Sequence, residues 1–256
     1  FPIIAKKNNE IIGFMPIFLK EHSYGEYVFD HSWADAFQQH GLNYYPKMIS
    51  AIPFTPITGT RLLANDIEIK KAMIKAIEKI LVEYKISSCH ILFPDKKDHE
   101  LFNEMGWLSR KGVQFKWHNN SYQTFNEFLQ TLSHNKRKKI KQERKKIEKN
   151  GISIERKQGE DITTEDIDFF YECYCETYRL HNSTPYLKKS FFYELVKTLP
   201  NKLLVIIAKK NSIKIASAFN IIGEDSLYGR YWGALEFFSG LHFELCYYQG
   251  QEFCIE

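Results

Sequence analysis

This sequence predicts an α/β protein of two related halves, with mixed sheets flanked by helices. Three observations predict it. Strand-length apolar runs alternate with longer stretches whose apolar residues fall at helical spacing. The pattern restarts after Gly151, where strand, helices and strands recur in a similar order. Finally, 256 residues at 44% hydrophobic and 15% aromatic content are enough for two cores.

In the first half, residues 1–6 and 11–18 are apolar runs separated by Lys7-Asn8-Asn9-Glu10, which reads as a hairpin turn. Residues 22–30 are rich in aromatic and hydrogen-bonding groups and fit no amphipathic pattern. Ser32 is placed to cap a helix over 33–40, with Gly41 just past its end. Residues 45–52 read as a strand, and the two prolines of Pro53-Phe54-Thr55-Pro56 stiffen the loop that follows. Asp66 caps a long helix to about Tyr84, with Ile67, Ile74, Ile77 and Leu81 at helical spacing. A strand at 88–93, a short helix at 98–105 and a strand at 107–117 complete this half.

Residues 125–132 are a short helix leading into a strongly basic one, 133–149. Ser133 starts it, Ile140 and Ile147 are seven apart, and Asn150-Gly151 ends it. Such a charge run is either a solvated face or a surface for an anion. After it come a strand at 152–156 and a helix at 164–179 with a broad apolar stripe. A second helix at 186–199 is followed by strands at 203–209, 213–222 and 226–233, then a helix over 242–256. The expected domains are therefore 1–120 and 151–256, joined by the connecting helices of 121–150, with the second domain apparently cut short.

Net charge is +4, too small to imply nucleic acid by itself. Five cysteines without a CxxC pair point to a reduced, cytoplasmic setting. No apolar run reaches the ~18 residues of a membrane span, and no signal peptide is visible. The chain opens on Phe1 and ends within a helical pattern, as a piece of a longer protein would. The nine histidines show no metal-ligand spacing, and neither a dinucleotide fingerprint nor a phosphate loop is present.

The densest chemistry lies in Leu227-Tyr228-Gly229-Arg230-Tyr231-Trp232-Gly233 and in Leu241 to Gly250. The first reads as a strand, with Gly229 and Gly233 suggesting a bulge or a close backbone approach. The second reads as a helix. A strand leading into a helix gathers backbone N–H groups and polar side chains at a sheet edge. An aromatic core with polar tips is the simpler alternative.

Several words resemble the FemAB-like family of predicted N-acyltransferases. They are His22-Ser23-Tyr24-Gly25-Glu26-Tyr27-Val28-Phe29-Asp30, Tyr44-Tyr45-Pro46-Lys47, Pro53-Phe54-Thr55-Pro56, Gly59-Thr60-Arg61-Leu62-Leu63 and Lys136-Arg137-Lys138. The two stretches around Arg230 and Glu244 belong with them, so the resemblance covers nearly the whole chain. It implies tandem GNAT-like (acyl-CoA N-acyltransferase) domains and transfer of an acyl or aminoacyl group to an amine, such as that of a peptidoglycan precursor.

Acyl transfer to an amine needs a base, oxyanion donors and a hold on the acyl carrier. No nucleophile elbow is visible, so direct transfer is expected. The candidate catalytic residues are His242, Glu244, Tyr248 and His22. Arg230, Tyr231, Trp232, Tyr24, Tyr27 and Asp30 are candidates for substrate binding, and Arg230 with Glu244 forming a buried ion pair is the structural alternative. Lys136, Arg137 and Arg144 are the candidate contacts to a donor, either an acyl-CoA or an aminoacyl-tRNA. The Gly-rich turn of acyl-CoA enzymes is only faint around Gly233 to Gly240, which leaves room for tRNA at the basic helix. Two further readings stand beside the enzyme. One is a glycan- or peptide-recognition module using Tyr24, Tyr27, Tyr231 and Trp232, and the other is an RNA-binding protein led by the basic helix.

Overall fold

The computed structural model describes residues 2–256, and its contacts divide the chain into two units, Phe1–Gln114 and Phe115–Glu256. Phe1, the expected first residue of the hairpin, lies outside the described residues.

The first unit carries two small sheets. β1 (Ile3–Lys7) and β2 (Glu10–Met15) form the expected antiparallel hairpin. Its turn residues Asn8 and Asn9 have φ of 50° and 69°, the left-handed region that asparagine tolerates. The second sheet holds β3 (Phe18–Lys20) and β4 (Lys47–Ser50), and the short β5 (Leu63–Ala64) extends the first. β6 (Cys89–Ile91) lies parallel to β4, so the chain must cross over between them.

Three helices complete this unit: α1 (His31–Gln39), α2 (Ile67–Glu83) and α3 (Lys96–Glu104). α2 supplies the crossover, capped by Asp66, which accepts from the Glu68 N–H at 2.8 Å. Met15, Met48, Met73, Ile74, Ile77, Leu101 and Phe102 are buried in one core. Two expectations fail here. α1 starts at His31 behind Asp30 rather than at Ser32, and Asp30 makes no capping bond because its carboxylate is engaged elsewhere. Residues 107–117 form no strand: Leu108, Val113 and Phe115 are left almost fully exposed, so pairing there would bury nothing.

In the second unit, α4 (Phe125–Thr131) and the basic α5 (His134–Lys149) precede β7 (Ile152–Gln158). α6 (Thr164–Leu180) begins with a capping box of Thr163 and Asp166. α7 (Lys189–Thr198) follows, beginning three residues later than its apolar pattern suggests. β8 (Leu203–Lys210), β9 (Ile213–Ile222) and β10 (Leu227–Ala234) join β7 in an antiparallel sheet ordered β10-β9-β8-β7.

β8 reads as an unbroken apolar run because both of its faces are covered. Leu204, Ile206 and Ala208 pack with Ile147 of α5 and with Leu241 and Leu245, while Leu203, Val205 and Ile207 pack with Phe170, Tyr174 and Phe192 of α6 and α7. The chain then turns through Gly240, at φ 90°, into α8 (Leu241–Phe243), a π-helical turn Glu244–Tyr248, and α9 (Gln249–Ile255).

β10 and α6 meet at Gly233. A Cβ there would stand 1.9 Å from the Cys173 carbonyl oxygen, and Thr177 Oγ1 donates to the Trp232 carbonyl at 2.8 Å. Gly233→Ala should therefore destabilise the protein by about 3 kcal/mol through overpacking, as measured by urea unfolding. A change below about 0.5 kcal/mol, typical of an unremarkable surface site, would show that α6 can retreat freely.

Candidate functional site

Consecutive strand residues point to opposite faces, and β10 separates the two aromatics expected to share a cleft. Tyr231 turns to the α6 and α7 side, with its ring 5.0 Å from Tyr174 and 5.8 Å from Phe192. Trp232 turns to the α8 side, 5.1 Å from the ring of His242. The register between β10 and β9 slips between Gly229 and Tyr231, so Arg230 is the extra residue of a β-bulge. Its guanidinium lies 4.5 Å over the Tyr231 ring, a cation–π arrangement.

Arg144 of α5 occupies the space beneath the π-helical turn. Its Nε and Nη2 donate to the two oxygens of Glu244 at 3.1 and 3.0 Å, and Nη1 and Nη2 donate to those of Glu252 at 2.7 and 2.9 Å. Gln249 Nε2 adds a bond to Glu244 Oε1 at 2.8 Å. Burial alone would lower the Arg144 pKa, but the bonds and charges of Glu252 and Glu244 more than reverse this and hold it above its ordinary range. Two residues expected at the chemistry thus face each other. The buried pair expected between Arg230 and Glu244 is made by Arg144 instead, because a guanidinium on α5 can grip two carboxylates on the facing helix in bidentate fashion.

Tyr248 is buried and donates to Glu143 Oε2 of α5 at 3.1 Å. Burial, then the Glu143 charge, pushes its phenol up, so it stays protonated. Cys246 is pushed up to about 12 by burial and so supplies no thiolate near neutral pH.

His242 differs from these neighbours. It is exposed, ringed by Trp232, Tyr247 at 5.7 Å and Phe243 at 5.6 Å. Desolvation by these rings lowers its pKa from the ordinary value, so near neutral pH it carries a lone pair able to accept a proton. A π-helical turn often marks a functional helix, and here it begins two residues after His242.

The expected site residues of the first unit divide in the same way. His22 and Tyr24 are exposed, and His22 Nδ1 accepts from the Tyr24 N–H at 3.2 Å. Tyr27 is half-buried with φ 61°, a strained conformation for an aromatic residue. Asp30 is buried and accepts from Lys47 Nζ at 2.5 Å and from the Tyr44 hydroxyl at 2.6 Å. Lys47 also donates to Glu26 at 2.7 Å and Ser23 at 2.7 Å. Burial raises the Asp30 pKa, but these donors outweigh it and hold the carboxyl well below the usual range. Asp30 is therefore committed to fixing the 22–30 loop.

Among the donor candidates, Lys136 is exposed, and Arg137 is half-buried and reaches the Gln130 carbonyl at 3.4 Å. No group of three or more His, Cys, Asp or Glu among the described residues is arranged to hold a metal. The sequence reading missed Lys47, Gln249 and Glu252. Lys47 left a signal, since a lysine inside an apolar strand needs a buried partner.

If Glu244 is structural, Glu244→Gln should destabilise the protein by about 3 kcal/mol by breaking one side of a buried ion pair. Guanidinium unfolding would measure this. Unchanged stability would return Glu244 to the list of free catalytic carboxylates.

A FemAB-like family model, described as peptidoglycan biosynthesis/recognition, matches residues 1–256. No curated protein sequence matches. Among solved structures, L-PGS from Bacillus licheniformis is similar at a TM-score of 0.51 and 11% identity, over 82% of this chain and 59% of that one. At that identity the likeness is one of fold, and the present chain spans 59% of the length of the L-PGS chain.

Proposed function

The chain belongs to the FemAB-like family of peptidoglycan biosynthesis and recognition, and on that premise we propose that it transfers an acyl or aminoacyl group to the amine of a peptidoglycan precursor, on tandem GNAT-like units. The observation that carries this reading is His242. Of the candidates in the second unit it is the one that stays accessible, with its pKa lowered by desolvation, while Glu244 is held by Arg144 and Tyr248 by Glu143.

In this reading the acceptor nitrogen attacks the acyl carbonyl carbon, and its proton passes to His242. The carbonyl oxygen gains negative charge, which backbone N–H groups near the β10 bulge receive. Collapse forms the amide and expels the donor's thiol or ribose hydroxyl, which takes up a proton. Arg230 holds a carboxylate or phosphate of the acceptor. Lys136 and Arg137 contact the anionic donor, an acyl-CoA or an aminoacyl-tRNA.

A recognition module is the second reading, favoured by the exposure of Tyr24 and of Trp33 in the first unit, 59% and 54%. Amide formation, followed by mass, separates the two. The chain is incubated with a muropeptide precursor and with either donor. Binding of the precursor without a mass gain from any donor would favour recognition.

Given turnover, the sign of its pH dependence follows from His242. A base whose pKa lies below the ordinary ~6.5 is protonated and idle in acid. kcat/KM should therefore rise as pH climbs through the lowered pKa, below about 6.5, and then level off. His242→Ala should lower kcat about 10²–10⁴-fold and flatten that limb without lowering Tm. A full rate in His242→Ala would remove it from the mechanism.

A further inference from the structure

His90 of β6 is the only one of the nine histidines that is not exposed. Strand pairing sets it beside Ile49 of β4, and alternation along β4 puts Lys47 on the same face as Ile49. His90 therefore shares a sheet face with Lys47 and with the 22–30 loop that Lys47 holds.

Its Nε2 lies 3.3 Å from the Tyr44 hydroxyl and 2.9 Å from Ser88 Oγ. The Tyr44 proton is already spent on Asp30, at 2.6 Å. Lys47 keeps Asp30 ionised, and an ionised carboxylate can only accept. Burial and the bond to Asp30 push the Tyr44 phenol up, so it keeps its proton. The Tyr44 oxygen thus offers His90 a lone pair and nothing else. A lone pair on Nε2 would repel it, so Nε2 carries the ring proton and Nδ1 is bare. Nδ1 has no hydrogen-bond partner among the described residues. It is not one of the buried unpartnered atoms either, so solvent reaches it. A histidine serving only as a strut gains from bonding both nitrogens, and this one bonds through Nε2 alone.

Its place in the fold suits a ligand. β4 and β6 are the parallel pair of this unit, and ligands of α/β sheets gather beyond the C-terminal ends of such strands. Past those ends the loops of 51–60 and 92–95 meet, where the Gly59 N–H donates to the Phe93 carbonyl at 3.0 Å. Arg110 reaches the Phe29 carbonyl at 3.4 Å, which brings the 107–114 segment to the 22–30 loop. That loop holds Tyr24 and Phe29 outward, 59% and 76% exposed. Burial, then the Lys47 charge, lowers the His90 pKa. Arg110 adds to this, and Asp30 and Glu26 oppose it without reversing it.

We propose that His90, with Tyr44 and Asp30 as its positioning residues, is the proton acceptor of a second site, within the first unit, for a ligand bearing an amine or a hydroxyl. The ligand's N–H or O–H gives its proton to the Nδ1 lone pair and keeps the electron pair as a nucleophile. The imidazolium formed still donates from Nε2 to Tyr44 and Ser88, so the ring does not turn as it charges. The inference stands apart from the role given to His242, which lies in the other unit.

Nitrogen-15 NMR of the histidine rings in the whole chain reads the tautomer directly. His90, assigned through its backbone, should show the Nε2–H form and a midpoint below about 6.5. Reactivity is read with a probe pair, p-nitrophenyl acetate and ethanolamine. The amine attacks the ester carbonyl, its proton passes to Nδ1, the amide forms and p-nitrophenolate leaves. Release above the buffer rate should rise with pH through the His90 midpoint. His90→Gln should lower that pH-dependent part several-fold, and His181→Gln, at an exposed position of the other unit, should leave it unchanged. Tyr44→Phe should move its midpoint, with circular dichroism confirming that each variant folds. An Nδ1–H tautomer in the wild-type chain would overturn the proposal. So would a pH profile unchanged in His90→Gln, or a Tyr44→Phe variant that keeps both the wild-type tautomer and the wild-type midpoint.

Discussion

The second unit depends on one guanidinium. Arg144 reaches from α5 into a cluster containing Glu244, Glu252 and Gln249, and every polar atom it presents there is matched. A lone buried glutamate would cost several kcal/mol. The pairing makes Glu244 tolerable inside the protein and fixes the π-helical turn that starts with it. It also stacks over Phe125, 5.0 Å away, which ties α4 into the same cluster. The consequence for chemistry is a division of labour. Carboxylates that look reactive in the sequence are engaged by α5, and the neighbouring imidazole is left accessible.

The first unit uses the same device twice. Lys47 is completely buried and compensated by Glu26 and Asp30. Arg61, 1% exposed, donates to the carbonyls of Leu92, Ile57 and Thr60, while the buried Asp98 accepts from the Arg61 and Leu62 N–H groups and from Lys70. Three of the words that carry the family resemblance are therefore anchoring segments. The 22–30 loop is pinned on Lys47, while Arg61 ties the 59–63 segment to Ile57 and Leu92 and Asp98 ties it to α3. Buried ion pairs of this kind fix a conformation more surely than they add stability. They hold the backbone where residues such as Tyr27, Phe29 and Phe54 take positive φ.

Much of this was legible in the sequence. The hairpin was marked by Asn8-Asn9, α2 by Asp66, the end of α5 by Gly151, and the bulge and close approach of β10 by Gly229 and Gly233. Local rules suffice there, because each signal acts within a few residues of its effect. They failed where distant partners decide. Asp30 looked like a ligand and Ser32 like a cap, but Lys47, seventeen residues on, claims the aspartate. Glu244 looked like a base, but its partner lies 100 residues earlier in the chain. Tyr231 and Trp232 looked like one aromatic surface by composition, although alternation along a strand already sends neighbours to opposite faces. The run at 107–117 looked like a strand because it carries strand-forming apolar residues, but it forms no strand and leaves Leu108, Val113 and Phe115 exposed.

What distinguishes His242 from the residues around it is its protonation state, and the ring can be followed directly. An NMR titration of the His242 imidazole in the intact protein tests the account at its centre. The aromatic enclosure by Trp232, Phe243 and Tyr247, with no carboxylate at the ring, predicts a midpoint below the ordinary ~6.5. A midpoint above that value would mean that a negative charge stabilises the imidazolium, and His242 could not then be the neutral base on which the proposed transfer rests.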